Sequence, residues 1–145
     1  MAGNDLFCWM RDQQLKQRKR IDLYSLYKKG LDEGRFSSVL DAARYLCHHQ
    51  APCYYISPEQ ATLLIGRIID GRGISDLSPS QRRMVIQLYY EYKRYLSLHP
   101  GTRNSRVRIL NEIVDKPAPE FYMTEEAARK IIREENMKAR RKAGW

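Results

Sequence analysis

An eleven-residue phrase occurs twice in this chain, and that repetition limits the possible folds more than any other feature. Ala51-Pro52-Cys53-Tyr54-Tyr55-Ile56-Ser57-Pro58-Glu59-Gln60-Ala61 returns sixty-seven positions later as Ala118-Pro119-Glu120-Phe121-Tyr122-Met123-Thr124-Glu125-Glu126-Ala127-Ala128. In each copy a hydroxyl residue, Ser57 or Thr124, stands where a helix N-cap belongs, since its oxygen can accept a backbone N–H that the first turn leaves free. Pro58 and Glu59 follow in one copy, Glu125 and Glu126 in the other. Proline suits the first helical position, and carboxylates favour the positive end of the helix dipole. The phrase reads as an extended, aromatic-bearing connector that ends by starting a helix.

The likeness extends to either side. Leu23, Tyr24, Tyr27, Lys28, Lys29 and Leu31 line up at an offset of 65 with Leu88, Tyr89, Tyr92, Lys93, Arg94 and Leu96. The two-residue difference is absorbed around His99-Pro100-Gly101, where a surface loop tolerates insertion. Helical spacing begins at Ile21 and stops near Gly34. A second helix, capped by Ser37 or Ser38 and buried through Leu40, Ala43, Leu46 and Cys47, ends near His49 and Gln50 because Pro52 disfavours helical geometry at Ala51. The third runs from Ser57 through Ala61, Leu64, Ile65 and Ile68 to about Gly71. Ser78 opens the long counterpart of the first helix, and Val107, Leu110, Ile113 and Val114 take the places of Leu40, Ala43, Leu46 and Cys47. Residues 53–56 and 121–123 are the sole strand candidates, long enough for a short bridge between them.

The expected fold is therefore all-α, a single domain built from two tandem helix-helix-connector-helix repeats, possessing a loose helix-turn-helix-like order. The segments are an apolar and basic arm over residues 1–20, repeat 1 over 21–70, a turn-rich linker over 71–77, repeat 2 over 78–137 and a basic tail over 138–145. With 145 residues and 43% hydrophobic content, one shared core is expected rather than two. Three cysteines, Cys8, Cys47 and Cys53, form no framework spacing and point to a reducing, cytoplasmic setting. Neither a signal peptide nor a membrane span is recognisable.

The sequence offers little to support catalysis. Cys47, His48, His49 and Cys53 lie close together, but Cys47 falls on an apolar stripe and the second ligand pair of a structural zinc site is missing. No group orients the histidines or activates a thiol. Glu125 with Glu126, and Glu134 with Glu135, are sequence neighbours that point about 100° apart on a helix and do not converge as general acid and base would. Gly71-Arg72-Gly73 lacks the remaining parts of a phosphate loop. The reading is of a non-enzyme with no cofactor and no metal.

Charge carries the functional signal. Lys and Arg total 26 against 17 Asp and Glu, a formal +9, which attracts polyanions. The two halves share it unequally: the helix after Ser57 is near neutral, whereas the helix after Thr124 carries Arg129, Lys130, Arg133, Lys138, Arg140, Arg141 and Lys142. If one copy reads DNA it is the second, with Arg129, Lys130 and Arg133 nearest the duplex and residues 138–142 on phosphates, assisted by Arg18, Lys19 and Arg20 of the arm. The alternative is a solvated tail helix partly compensated by Glu134 and Glu135. The connector exceeds the usual three to four residue turn of a helix-turn-helix, which puts a standard motif in doubt for both copies. Tyr92 and Tyr95 share the Leu88 face and read as core; Tyr89 and Tyr90 point elsewhere, toward bases or a protein interface. Tyr54, Tyr55, Phe121 and Tyr122 read as aromatic plugs. Leu6, Phe7, Trp9 and Met10 form a small apolar cluster suited to docking on the core or on a neighbouring subunit.

The Ala-Pro-x-aromatic-Tyr motif, clearest over residues 116–122 and looser over 50–61, resembles a "PAPxFYxSPExA" phrase found in small basic proteins of phages and mobile elements of gut bacteria. The resemblance covers most of residues 21–137 and implies a phage or mobile-element context within a bacterial host cell, without catalytic residues. Three functional readings follow: an accessory protein that grips nucleic acid, DNA foremost, through the basic C-terminal helix and N-terminal arm; a structural or assembly component of a virion or other large complex; and an accessory or inhibitory subunit of a larger enzyme.

Overall fold

The computed structural model describes residues 2–144, with side chains described over residues 9–144. Among the described residues there are six helices and no strand: α1 (Ala2–Asp32), α2 (Val39–Leu46), α3 (Pro58–Ile69), α4 (Pro79–Leu98), α5 (Arg106–Val114) and α6 (Glu125–Lys142). Helices α2 to α6 each open on a side-chain oxygen. Ser38, Ser57, Ser78, Ser105 and Thr124 sit in extended backbone and accept from the N–H of Asp41, Gln60, Gln81, Arg108 and Ala127. Only Ser78 closes a full capping box, its own N–H donating to the Gln81 side chain. α1 ends at Asp32, and Gly34 follows in the left-handed conformation that stops a helix, at φ 68°.

The two copies of the repeated phrase meet back to back. Ala51 and Ala118 form an antiparallel bridge in which each N–H donates to the other's carbonyl at 2.9 Å, and both residues are buried. The pairing falls on the alanines rather than on residues 53–56 and 121–123, where a bridge was expected. The reason lies in the backbone: Tyr55 and Tyr122 turn the chain out of extended geometry, at φ 56° and 53°. A non-glycine residue in that region costs on the order of 1 kcal/mol, repaid here by ring packing. The second aromatic of each copy stacks on the first of the other: Tyr55 on Phe121 at 6.0 Å and Tyr122 on Tyr54 at 6.1 Å between centroids. Tyr55 also donates its hydroxyl to Asp22 of α1 at 2.6 Å.

This crossing sends each following helix to the opposite half. α2 packs on α6 and α1, α5 packs on α3 and α4, α1 lies against α6, and α4 against α3. α2 does not touch α3, nor α5 α6, so the helices flanking each connector do not form a helix-turn-helix pair. One core results, drawing Leu23, Leu46, Ile65, Leu88, Leu110, Phe121 and Ile132 from every helix and a connector.

Two expectations about buried faces are corrected in matching ways. Leu40 and Val107 are exposed, while Ala42 and Ile109 are buried in their place. Each short helix is wedged between two others, so two adjacent sides face inward and the buried set becomes i, i+1, i+4, i+5. Helix α1 also starts far ahead of Ile21 and absorbs residues 2–20, which the sequence pattern sets apart as an arm. Those residues are rich in Gln, Lys and Arg, which favour helix without showing an apolar stripe.

Gly30 is required by contact rather than by dihedral angle. A Cβ there would collide with the Phe36 ring, which packs directly on the glycine. Gly30→Ala is expected to lower stability by about 1–3 kcal/mol through overpacking, although alanine favours helix. In a Phe36→Ala background the same change should raise stability, and a double-mutant cycle by urea denaturation checks both signs. A second expectation concerns alkaline pH. Burial foremost pushes the Tyr54 and Tyr55 hydroxyls upward and Tyr122 to about 12. The folded state then keeps protons that the unfolded chain releases near pH 10, so stability falls as pH rises above about 10. Tyr54→Phe with Tyr122→Phe should flatten that decline in urea titrations across the range.

Candidate nucleic-acid interface

Helix α6 buries Ala128 and Ile132 against the core and turns its cations outward. At 100° per residue, Arg129, Lys130, Arg133, Arg140 and Arg141 fall on one arc, away from those two anchors, and span about 18 Å along the axis. Lys130, Arg133, Arg140 and Arg141 are exposed and Arg129 is half-buried. Among the described residues none of the five is in an ion pair. Glu126 and Met137 lie on the same arc.

The neighbouring carboxylates are engaged elsewhere. Arg20 of α1 donates to Glu134 at 2.7 Å and to Glu135 at 3.1 Å, and Lys138 donates to Glu135 at 3.1 Å. Hydrogen bonding from Arg20 holds the Glu134 carboxyl below its usual range. Burial pulls Glu135 the other way, but hydrogen bonds from Lys138 and Arg20 outweigh it. Tyr24 adds a hydroxyl hydrogen bond to Asn136 at 2.8 Å. The acidic pair thus clamps α6 to α1; among the described residues the five arc cations make no salt bridge, although Lys130 helps hold the Glu134 carboxyl down and Glu126 shares their face. Glu125, at the start of α6, pairs with Arg44 of α2 at 3.4 Å.

The ten residues singled out by sequence therefore separate. Arg129, Lys130, Arg133, Arg140 and Arg141 come together; Lys138 is paired and Lys142 projects from a different side of the helix. Arg20 is half-buried in its clamp and Arg18 stands 3.9 Å from Asp22. Lys19 is half-buried near Cys53 and Glu120, its ammonium lowered to about 8 by burial, which the nearby Cys53 and Glu120 oppose. None of these three α1 cations joins the arc. Trp9 is 59% exposed, while Leu6 and Phe7 lie outside the described side chains.

Of the tyrosines, Tyr92 is buried and Tyr95 half-buried, Tyr89 packs beneath Lys93, and Tyr90 is exposed. Sequence reasoning misses Phe36, which stacks on Tyr27 as Tyr27 does on Tyr24, and Tyr45, whose ring meets Phe36 at a tilt of 54°; their lack of helical register with those tyrosines hides the connection. Among the described residues no three His, Cys, Asp or Glu side chains are placed to hold a metal ion, and no helix is long and apolar enough to cross a membrane. No family model, curated protein or solved structure matches this chain.

Lys19 gives a clean electrostatic test because Met84 occupies the matching place in the second half. Its folded-state pKa lies below the unfolded value, so the buried charge lowers stability below about pH 8 and that penalty fades as pH rises toward about 10.5. Lys19→Met is expected to stabilise the protein on the order of 1 kcal/mol at neutral pH. The gain should shrink by about pH 10, measured by denaturant midpoint.

Proposed function

We propose that this is a non-enzymatic nucleic-acid-binding accessory protein of a phage or mobile element, which grips phosphates along α6. The observation carrying this reading is the arc of Arg129, Lys130, Arg133, Arg140 and Arg141, five cations on one face against the single carboxylate of Glu126, none of them in a salt bridge among the described residues. An arc about 18 Å long covers the axial rise of about five base pairs, at about 3.4 Å of duplex axis per phosphate of a strand. Arginine forks suit such phosphates. The formal +9 supports the same class of partner through long-range attraction. Because neither connector is flanked by a helix-turn-helix pair, the reading is of backbone gripping rather than insertion of a recognition helix. The N-terminal arm is left out, since Arg20 is already committed to Glu134 and Glu135.

Nucleic acid should bind with an affinity that falls steeply with salt. Replacing Arg129, Arg133, Arg140 and Arg141 by Gln should flatten the log–log slope by about 0.9 for each duplex phosphate no longer neutralised. Fluorescence anisotropy over a salt series measures both. Binding indifferent to salt, or unchanged in the variant, would remove the proposal.

A second reading, a component of a virion or other assembly, is favoured by the exposure of Trp9 and Met10 on α1, at 59% and 44%. Native mass with and without nuclease separates the two readings. A nuclease-resistant symmetric particle belongs to the second, and nuclease-sensitive mass to the first.

A further inference from the structure

Five rings run in file along the edge of the molecule. Tyr24, Tyr27, Phe36, Tyr45 and His49 succeed one another with centroid separations of 5.8, 6.2, 5.8 and 5.6 Å. The file passes from α1 across the loop to α2 and the turn that follows it. Its inner members are explained by packing, since Tyr27 is buried in the core and Phe36 rests on Gly30. Tyr45 is not, being 48% exposed. Cavities open beside the Phe36–Tyr45 pair, one of about 130 Å³ bordered by Lys29, Arg35 and His49, another of about 250 Å³ bordered by Arg35 and Asp41. Both are smaller than a typical small-molecule pocket of roughly 300–1,000 Å³, and suit a single flat ring better than a whole cofactor.

The inner end of the file reaches the basic helix. Tyr24 is hydrogen-bonded to Asn136, and Tyr27 lines a hollow of about 380 Å³ with Asn136 and Arg140. Among the described residues the second half of the chain has no equivalent file. Tyr95 stands at the place of Gly30, and Glu112 at the place of Tyr45. The file is therefore not demanded by the shared helical frame.

We propose that Tyr45, standing at the rim of the packed Phe36 ring, is a stacking platform for an unpaired base, so that the ligand of the α6 arc is single-stranded nucleic acid. This rests on the phosphate-gripping reading above and adds to it. Every base presents a π-face, and stacking on an exposed aromatic ring is tolerant of sequence. Charge beside the rings is balanced, with Arg35 paired to Glu33 at 2.8 Å and Asp41 facing Lys29 and Arg35 across the two hollows. The platform thus offers ring faces, while the phosphate-binding charge comes from α6, where Arg140 lines the hollow next to Tyr27. A duplex keeps its bases stacked on one another and offers only phosphates, so the platform distinguishes the two forms.

The test compares oligothymidylate, oligouridylate and a DNA duplex of equal length at fixed salt. Tyr45→Ala should weaken binding of the single strands roughly tenfold and leave the duplex unchanged, with Tyr45→Phe restoring the loss. The DNA and RNA strands establish which sugar is preferred. Tyr45→Trp should show indole emission quenched by single strands and not by duplex. If the α6 glutamine variant abolishes binding while Tyr45→Ala leaves single strands unaffected, the platform alone is overturned. Equal losses on strand and duplex also overturn it. If the wild-type protein binds neither form, the phosphate-gripping reading falls with it.

Discussion

The paired alanines at the crossing of the connectors are the constraint on which the architecture depends. Two backbone hydrogen bonds of 2.9 Å, formed between residues with the smallest chiral side chain, bring the copies of one phrase into direct contact. Mutual bonding of this kind sets facing Cα atoms about 5.5 Å apart, leaving little depth for a larger buried side chain. The stacked rings beyond fix the angle at which each chain departs. Each connector then delivers its helix to the other side, and α2 on α6 mirrors α5 on α3.

On this matched frame the two halves carry different chemistry. Lys19 faces the Cys53 and Glu120 region where Met84 stands in the other half, and Arg83 pairs with Glu120 at 2.8 Å. Gly30 admits the ring of Phe36 from a loop, whereas Tyr95 supplies a ring from the corresponding helical position and stacks on His99 at 4.2 Å. α3 ends close to neutral and α6 is crowded with cations. A packed interior constrains volume and pattern closely, while an exposed helix face accepts charge at little energetic expense. The differences between the halves accordingly lie on the outward arc of α6 and on the rim of α1 and α2.

Much of this frame was legible in the sequence because it is written in local chemistry. Ser57, Ser78 and Thr124 announce their helices by capping, and Gly34 marks a stop. The stripe through Leu88 and Tyr92 places α4 by period alone. What the sequence hid was non-local. Which helix each connector feeds depends on the Ala51–Ala118 pairing, and neither residue carries a side-chain signal for it. The wedged position of α2 and α5 moved burial from Leu40 and Val107 to Ala42 and Ile109. For the same reason the sequence grouped the cations of α6 with Arg18, Lys19 and Arg20, without showing which of them share a face. Capture of Arg20 by Glu134 and Glu135 joins residues more than a hundred positions apart, and only the folded arrangement separates the cations of the outward arc from those held in salt bridges.

The exchanged packing also sets a schedule for how the chain is made. The apolar side of α2, with Ala42, Ala43, Leu46 and Cys47, is covered by α6, whose residues leave the ribosome last among the helices. At a synthesis rate of roughly 5–20 residues per second, that surface waits several seconds for its cover. The first half therefore cannot mature during translation ahead of the second, and both close together once the final helix has emerged.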